Sequence, residues 1–145
     1  NKFDSGKGVE DVQATIKTLR GTEGCTGKVG AVGYCLGGQL AYLTAARTDI
    51  DASVGYYGVN LQNLLGEAKN IKKPLMLHIA GKDQFTPPDA QKQIVDGLKG
   101  NPHVTLHTYP EMDHAFARVG GAHYDHANAE LANGRTATFF RQHLS

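Results

Sequence analysis

"VGAVGYCLGGQLAY", residues 29–42, begins apolar and small-residued, is broken by Gly33, Gly37 and Gly38, and closes on an alanine- and leucine-rich run. An apolar segment that ends in glycines and passes into good helix formers predicts a strand, a sharp turn and a helix. Cys35 sits at the turn. It is either a small hydrophobe filling a tight corner, as free cysteines commonly do, or a nucleophile held up for attack. Which of the two depends on the rest of the chain.

Outward from this stretch the same alternation recurs. Upstream, Val9, Val12, Ile16 and Leu19 repeat at helical spacing between Gly8 and Gly21, which predicts an amphipathic helix closed by a glycine. Residues 28–36 read as the first strand and 39–47 as the helix after the turn. Downstream come a strand at 51–58 ("DASVGYYG") and a short helix or irregular link at 61–68. A strand at 74–80 ("PLMLHIA"), the loop "GKDQFTPP", a helix at 89–98, a strand at 103–109 and a long helix from 124 to 143 complete the chain. Strands that alternate with helices and are apolar on both faces imply an α/β fold, a parallel sheet covered on both sides. No repeat, low-complexity tract or Pro/Ser-rich linker interrupts the pattern, so residues 1–145 are read as one domain.

Composition narrows the function classes. The chain has 145 residues, a 40% hydrophobic and 20% charged share, and a formal net charge of +1. A chain of this size can hide roughly two-thirds of its unfolded surface. With no basic field and no acidic tail, nucleic acid is not an expected partner. The two cysteines, Cys25 and Cys35, are too few for a disulfide scaffold, and the apolar runs are too short to span a bilayer. A soluble, cytosolic protein without a membrane partner is expected. The opening "NKFDSGKG" has neither an initiator methionine nor a secretory pattern, so it reads as an internal cut.

Two phosphate-binding patterns fail. "GTEGCTGKV" has the wrong glycine spacing for a P-loop and places Val29 where a hydroxyl should hold magnesium. No register of Gly30, Gly33, Gly37 and Gly38 gives G-x-G-x-x-G. What remains is Gly33-Tyr34-Cys35-Leu36-Gly37, the G-x-nucleophile-x-G elbow with sulfur in place of the usual serine oxygen. Small flanking residues let strand and helix approach while the nucleophile takes a strained conformation. Thiolate is the reactive form, and a helix start favours negative charge there. The Leu36 N–H would point at an oxyanion.

A nucleophile needs a base, and the base an orienting partner. Asp83 lies just beyond the third strand and His114, in "YPEMDHAF", just beyond the fourth. Loops at the carboxyl ends of parallel strands gather in one crevice, so both should converge with Cys35. Asp83 alone would pass for a turn aspartate and His114 for a solvated loop histidine. Asp113 is a competing orienting acid, but adjacent residues usually point apart. The order nucleophile, acid, histidine is that of the α/β-hydrolases.

"GYCLGG", "AGKDQFTP" and "DHAFAR" together resemble the three signature segments of the dienelactone hydrolase (carboxymethylenebutenolidase) family, and the resemblance covers most of the chain. It implies an α/β-hydrolase fold, a Cys-Asp-His triad, and opening of cyclic enol-lactones or related small carboxylic esters without a cofactor. It also implies that Arg118 matches an arginine binding the carboxylate of an anionic substrate. By the same resemblance the chain corresponds to the C-terminal part of that fold, with about four parallel strands. An N-terminal segment would supply the first strands, a second oxyanion N–H, a glutamate near the cysteine and another arginine. Ala115 stands where family members carry serine.

No metal is expected. His103 and His107 would lie roughly 13 Å apart on a strand, too far to share one ion. His78, inside an apolar strand, reads as a hydrogen-bonded core histidine, and His123 and His126 as a solvated helix start. Cys25 reads as structural. Two other functions remain open: a glutamine amidotransferase-like cysteine enzyme, whose H-x-E motif this chain lacks, and a non-catalytic hydrolase-like fragment or binding module.

Overall fold

The protein is described by a computed structural model covering residues 2–145. Asp4 caps the first helix, its carboxylate accepting the Lys7 N–H, and α1 (Ser5–Arg20) closes on Gly21. Strand β1 (Gly30–Tyr34) passes through Cys35 directly into α2 (Leu36–Arg47). Strand β2 (Ala52–Tyr56) is followed by two short 3-10 turns, Leu61–Asn63 and Leu65–Asn70, where the sequence left helix and irregular link undecided. Strand β3 (Leu75–Ala80) leads to α3 (Pro88–Leu98), which starts on a proline whose missing N–H costs nothing in a first turn. Strand β4 (Val104–Tyr109) precedes α4 (His126–Leu144), capped by Asp125. No helix of the described residues is long and apolar enough to cross a membrane.

All four strands are parallel, in the order β1-β2-β3-β4. The expectation of strands apolar on both faces holds for the two central ones, which are buried throughout. It does not hold for β1 and β4, whose outer sides are partly exposed because each has only one neighbour.

Unequal layers cover the two faces of the sheet. On one, Tyr42 and Leu43 of α2 and Ile94 and Leu98 of α3 pack on Leu75 and Leu77 of β3, and Val9 of α1 joins them. On the other, Ala132 and Phe139 of α4 pack with Val54, Tyr56, Met76 and Phe116. Each fully buried aliphatic or aromatic side chain here stabilises the fold by about 1.5–3 kcal/mol. At the amino ends of the strands, Arg20 bridges Asp49 and Asp51 while Asp51 accepts the Val29 N–H at 2.8 Å. That clamp ties the end of α1 to β1 and β2.

The register has a consequence for the opposite end. Tyr34, Tyr56, His78 and His107 are successive partners across the four strands, so parallel pairing puts their rings in one row. Ring centroids in the row are 4.7, 4.3 and 5.8 Å apart. His78 is 1% exposed and hydrogen-bonded, as expected of a core histidine.

Candidate active site

The tight passage from β1 to α2 fixes the position of Cys35. A Cβ on Gly33 would lie 1.9 Å from the Gly37 carbonyl oxygen, and one on Gly38 would lie 2.7 Å from the Tyr56 oxygen. Glycine at these two positions is what allows strand and helix to meet. A Cβ on Gly37 would meet nothing within 4 Å, so the second glycine of the motif is not needed for this approach. Between them Cys35 adopts φ 57°, a region that L residues rarely occupy. Its backbone N–H donates to the Tyr56 oxygen at 3.1 Å and its own carbonyl accepts from Gly38 N–H at 3.0 Å. The Leu36 N–H, first in α2, donates to no backbone acceptor among the described residues, as the geometry of a helix start requires.

The loops after β3 and β4 bring up two further groups. Cys35 Sγ lies 3.0 Å from His114 Nε2, and His114 Nδ1 lies 3.0 Å from Asp83 Oδ2. Residues 48 and 79 positions beyond Cys35 thus meet it in space, because each follows its own strand at the same end of a parallel sheet. Asp83 is 5% exposed, and its other oxygen accepts the Phe85 N–H at 2.9 Å. Asp113, the competing acid, accepts the His114 backbone N–H at 2.6 Å and lies 3.6 Å from His123, away from the imidazole of His114. A carboxylate can only accept, so the His114 proton sits on Nδ1 and Nε2 is left as the acceptor facing sulfur.

Burial pushes the Cys35 thiol above its ordinary range, Asp83 pushes it further, and Arg118 pulls it partly back. Burial and Asp83 thus favour S–H, against the thiolate that a helix start by itself favours.

Tyr34, Cys35, Tyr57, His114, Arg118 and Asn133 contribute to the lining of a cleft of about 350 Å³. Arg118 is exposed at its edge and has no carboxylate partner within 4 Å among the described residues. Tyr57 and Phe85 flank the His114 ring at centroid distances of 5.1 and 4.7 Å, which restricts the rotation of the imidazole. Among the described residues four non-glycines have positive φ, and three of them, Cys35, Tyr57 and Ala115, line this cleft. Strained backbone clusters at functional sites in other proteins, which makes this concavity the candidate site. A wider groove of about 680 Å³ runs between α4 and the sheet past Met76, Leu131 and Phe139, and Cys35, Asp83 and His114 are not among its lining residues. Among the described residues no group of three or more metal-ligating side chains forms.

Sequence reading did not single out Tyr57, Phe85 or Asn133. The aromatic end of "SVGYYG", beside Gly58 at a strand terminus, was a usable signal for Tyr57. Asn133 lies mid-helix, nineteen positions past His114, and carries no local signal.

The family model "Dienelactone hydrolase family" matches residues 1–144. A putative carboxymethylenebutenolidase of Azospirillum brasilense is 61% identical over 109 residues, covering 75% of this chain and 47% of that protein. The carboxymethylenebutenolidase of Pseudomonas putida is 42% identical over 137 residues, 94% of this chain and 58% of that one. The chain thus spans about half the length of the curated relatives it matches. The crystal structure of a putative dienelactone hydrolase from Klebsiella pneumoniae superposes with a TM-score of 0.87 at 24% identity, over 97% of this chain and 63% of that chain, and so shows the same fold. With the family model covering nearly every residue and the α/β-hydrolase architecture shared with that neighbour, the chain belongs to the dienelactone hydrolase family.

Proposed function

We propose that the protein hydrolyses lactones or small carboxylic esters with Cys35 as nucleophile, His114 as general base and acid, and Asp83 as the group that orients the imidazole. The observation that carries this reading is the unbroken pair of 3.0 Å contacts from Cys35 Sγ through His114 to Asp83, set in a cleft at the carboxyl end of the sheet. In the first step His114 Nε2 takes the thiol proton as sulfur bonds to the carbonyl carbon, and the C=O π pair moves onto oxygen. The Leu36 N–H donates to that oxyanion. Collapse breaks the C–O bond, and the departing alkoxide takes the Nε2 proton, leaving a thioester. In a lactone this alkoxide stays tethered to the acyl group. Water then gives a proton to Nε2 and adds to the thioester carbon; the thiolate leaves and regains its proton from His114. Arg118, the charged residue at the edge of the cleft, supports an anionic substrate.

Family membership and the names of the relatives support the ester-hydrolase class; the assignment of roles rests on the geometry. The test is hydrolysis of p-nitrophenyl acetate and of a dienelactone by the full-length polypeptide and its Cys35→Ala variant. Loss of both activities is expected, and equal rates in the two proteins overturn the mechanism.

A further inference from the structure

Asn133 lies on α4, far in sequence from the elbow and the two loops, yet its side chain lines the same cleft as Cys35 and Arg118. Its Oδ1 accepts from Tyr56 Oη at 2.8 Å, while among the described residues its Nδ2 donates to no protein acceptor. Which of the two amide ends faces the cleft depends on the direction of the hydrogen bonds behind it.

That direction follows from proton counting. Arg135 Nη1 lies 3.1 Å from Tyr109 Oη, and a guanidinium can only donate. Tyr109 is 2% exposed, and its other hydrogen-bond partner is His78 Nδ1 at 2.9 Å. The Tyr109 proton must therefore go to Nδ1; the opposite arrangement strands a buried hydroxyl proton without an acceptor. Burial holds His78 neutral, its pKa lowered to about 3, with Arg135 and His107 adding to the effect. With Nδ1 accepting, the imidazole proton sits on Nε2 and is donated to Thr136 Oγ1 at 2.9 Å. Thr136 then donates to Tyr56 Oη at 2.6 Å, and Tyr56 gives its proton to Asn133 Oδ1. Every member donates once toward the cleft, and the only residue that begins the series without accepting is a cation.

We infer that Asn133 is a substrate-binding residue whose amide N–H group is aimed into the cleft by this one-way relay from Arg135, where it donates to a carboxylate oxygen of an anionic substrate beside Arg118. The reaction part of this inference rests on the ester-hydrolase reading, but binding can be read separately. Arg118 offers charge from an exposed side chain; Asn133, also exposed, offers a donor whose amide is tethered through Oδ1 to Tyr56. Both line the one cleft, each with a donor free to meet an oxygen of the same carboxylate.

The test compares 4-acetoxybenzoate with phenyl acetate, which share the scissile acetate and differ in the carboxylate, on the full chain. Asn133→Asp keeps the acceptor for Tyr56 and removes the donor, while Asn133→Leu removes the donor without adding charge. Both should raise KM for 4-acetoxybenzoate about tenfold, the worth of a hydrogen bond to a charged group, with kcat retained and a far smaller change for phenyl acetate. Tyr56→Phe, which releases the amide to turn, should give a smaller rise confined to the anionic substrate. Binding of 4-acetoxybenzoate to Cys35→Ala and to Cys35→Ala/Asn133→Leu, measured by calorimetry, should differ by about the same factor. Equal affinity of these two overturns the inference whether or not the protein cleaves esters, as does an equal effect of the variants on both substrates. Persistent hydrolysis by Cys35→Ala instead overturns the nucleophile assignment and leaves the binding comparison to decide on Asn133.

Discussion

Cys35 combines a backbone strained at φ 57° with a thiol whose pKa burial and Asp83 push up. Asp83 thus has two opposite influences at the sulfur: its charge disfavours the thiolate, while its hydrogen bond to Nδ1 holds the His114 imidazole for the role proposed above. Asp83→Asn separates them. The amide removes the charge, so the alkylation of Cys35 by iodoacetamide should reach its half-maximal rate at lower pH than in the unaltered protein. The same amide can stabilise the wrong imidazole tautomer, so kcat for ester hydrolysis should fall by about 10²–10⁴-fold. A variant with a more acidic thiol and a slower reaction identifies orientation as the dominant role; unchanged kcat rules that role out. Arg118→Ala should move the alkylation midpoint the other way, because Arg118 favours the thiolate.

At the scale of elements, the two glycines of G-x-C-x-G are unequal. Gly33→Ala sets a methyl group 1.9 Å from the Gly37 carbonyl, backbone against backbone, and should cost more than about 3 kcal/mol in urea denaturation. Gly37→Ala meets open space in the first turn of α2 and should change stability by less than about 1 kcal/mol. A comparable loss in both would show that the approach of strand and helix is not what the glycines serve. Strand β3 carries a second consequence, through His78. Its folded pKa of about 3 lies below the ordinary value of 6.5, so between these limits the unfolded chain binds a proton that the folded chain does not. Stability should accordingly fall as pH drops from about 6.5 toward about 3. The urea midpoint of His78→Gln should depend less steeply on pH across that window, and identical slopes would contradict the buried neutral histidine.

For the whole molecule, the uneven sides of the sheet matter most. Strand β1 leads into the turn at Cys35, yet among the described residues its outer edge is unpaired, and its Val32 and Tyr34 are 48% and 47% exposed. An open edge with apolar side chains is a template for another strand. We propose that this edge accepts a further strand, and that residues 1–145 form one domain completed by that pairing. A polypeptide of these residues should associate with rising concentration, and Val32→Lys should suppress the association in sedimentation velocity; association unaffected by the lysine would place the contact elsewhere. The alternation of elements was legible in the sequence because a buried parallel strand must be apolar and a helix covering it must repeat every three to four residues. Cys35, Asp83 and His114 were legible because each follows a strand, and parallel strands deliver their carboxyl-end loops to one place. Other features were not. Tyr57 and Phe85 flank the imidazole through loop geometry that no local pattern encodes, and the glycine pair that matters sterically is Gly33 with Gly38 rather than Gly33 with Gly37. The orientation of Asn133 depends on a row of groups from β2, β3, β4 and α4, each unremarkable in its own segment. Sequence by itself determined the order of elements and the chemical identity of the groups at the strand ends, since both follow from local periodicity and side-chain chemistry. Only the tertiary structure decided which groups bear on the thiol and the direction of the hydrogen bonds. Those depend on which buried groups face one another, and that is fixed by packing across strands distant in sequence.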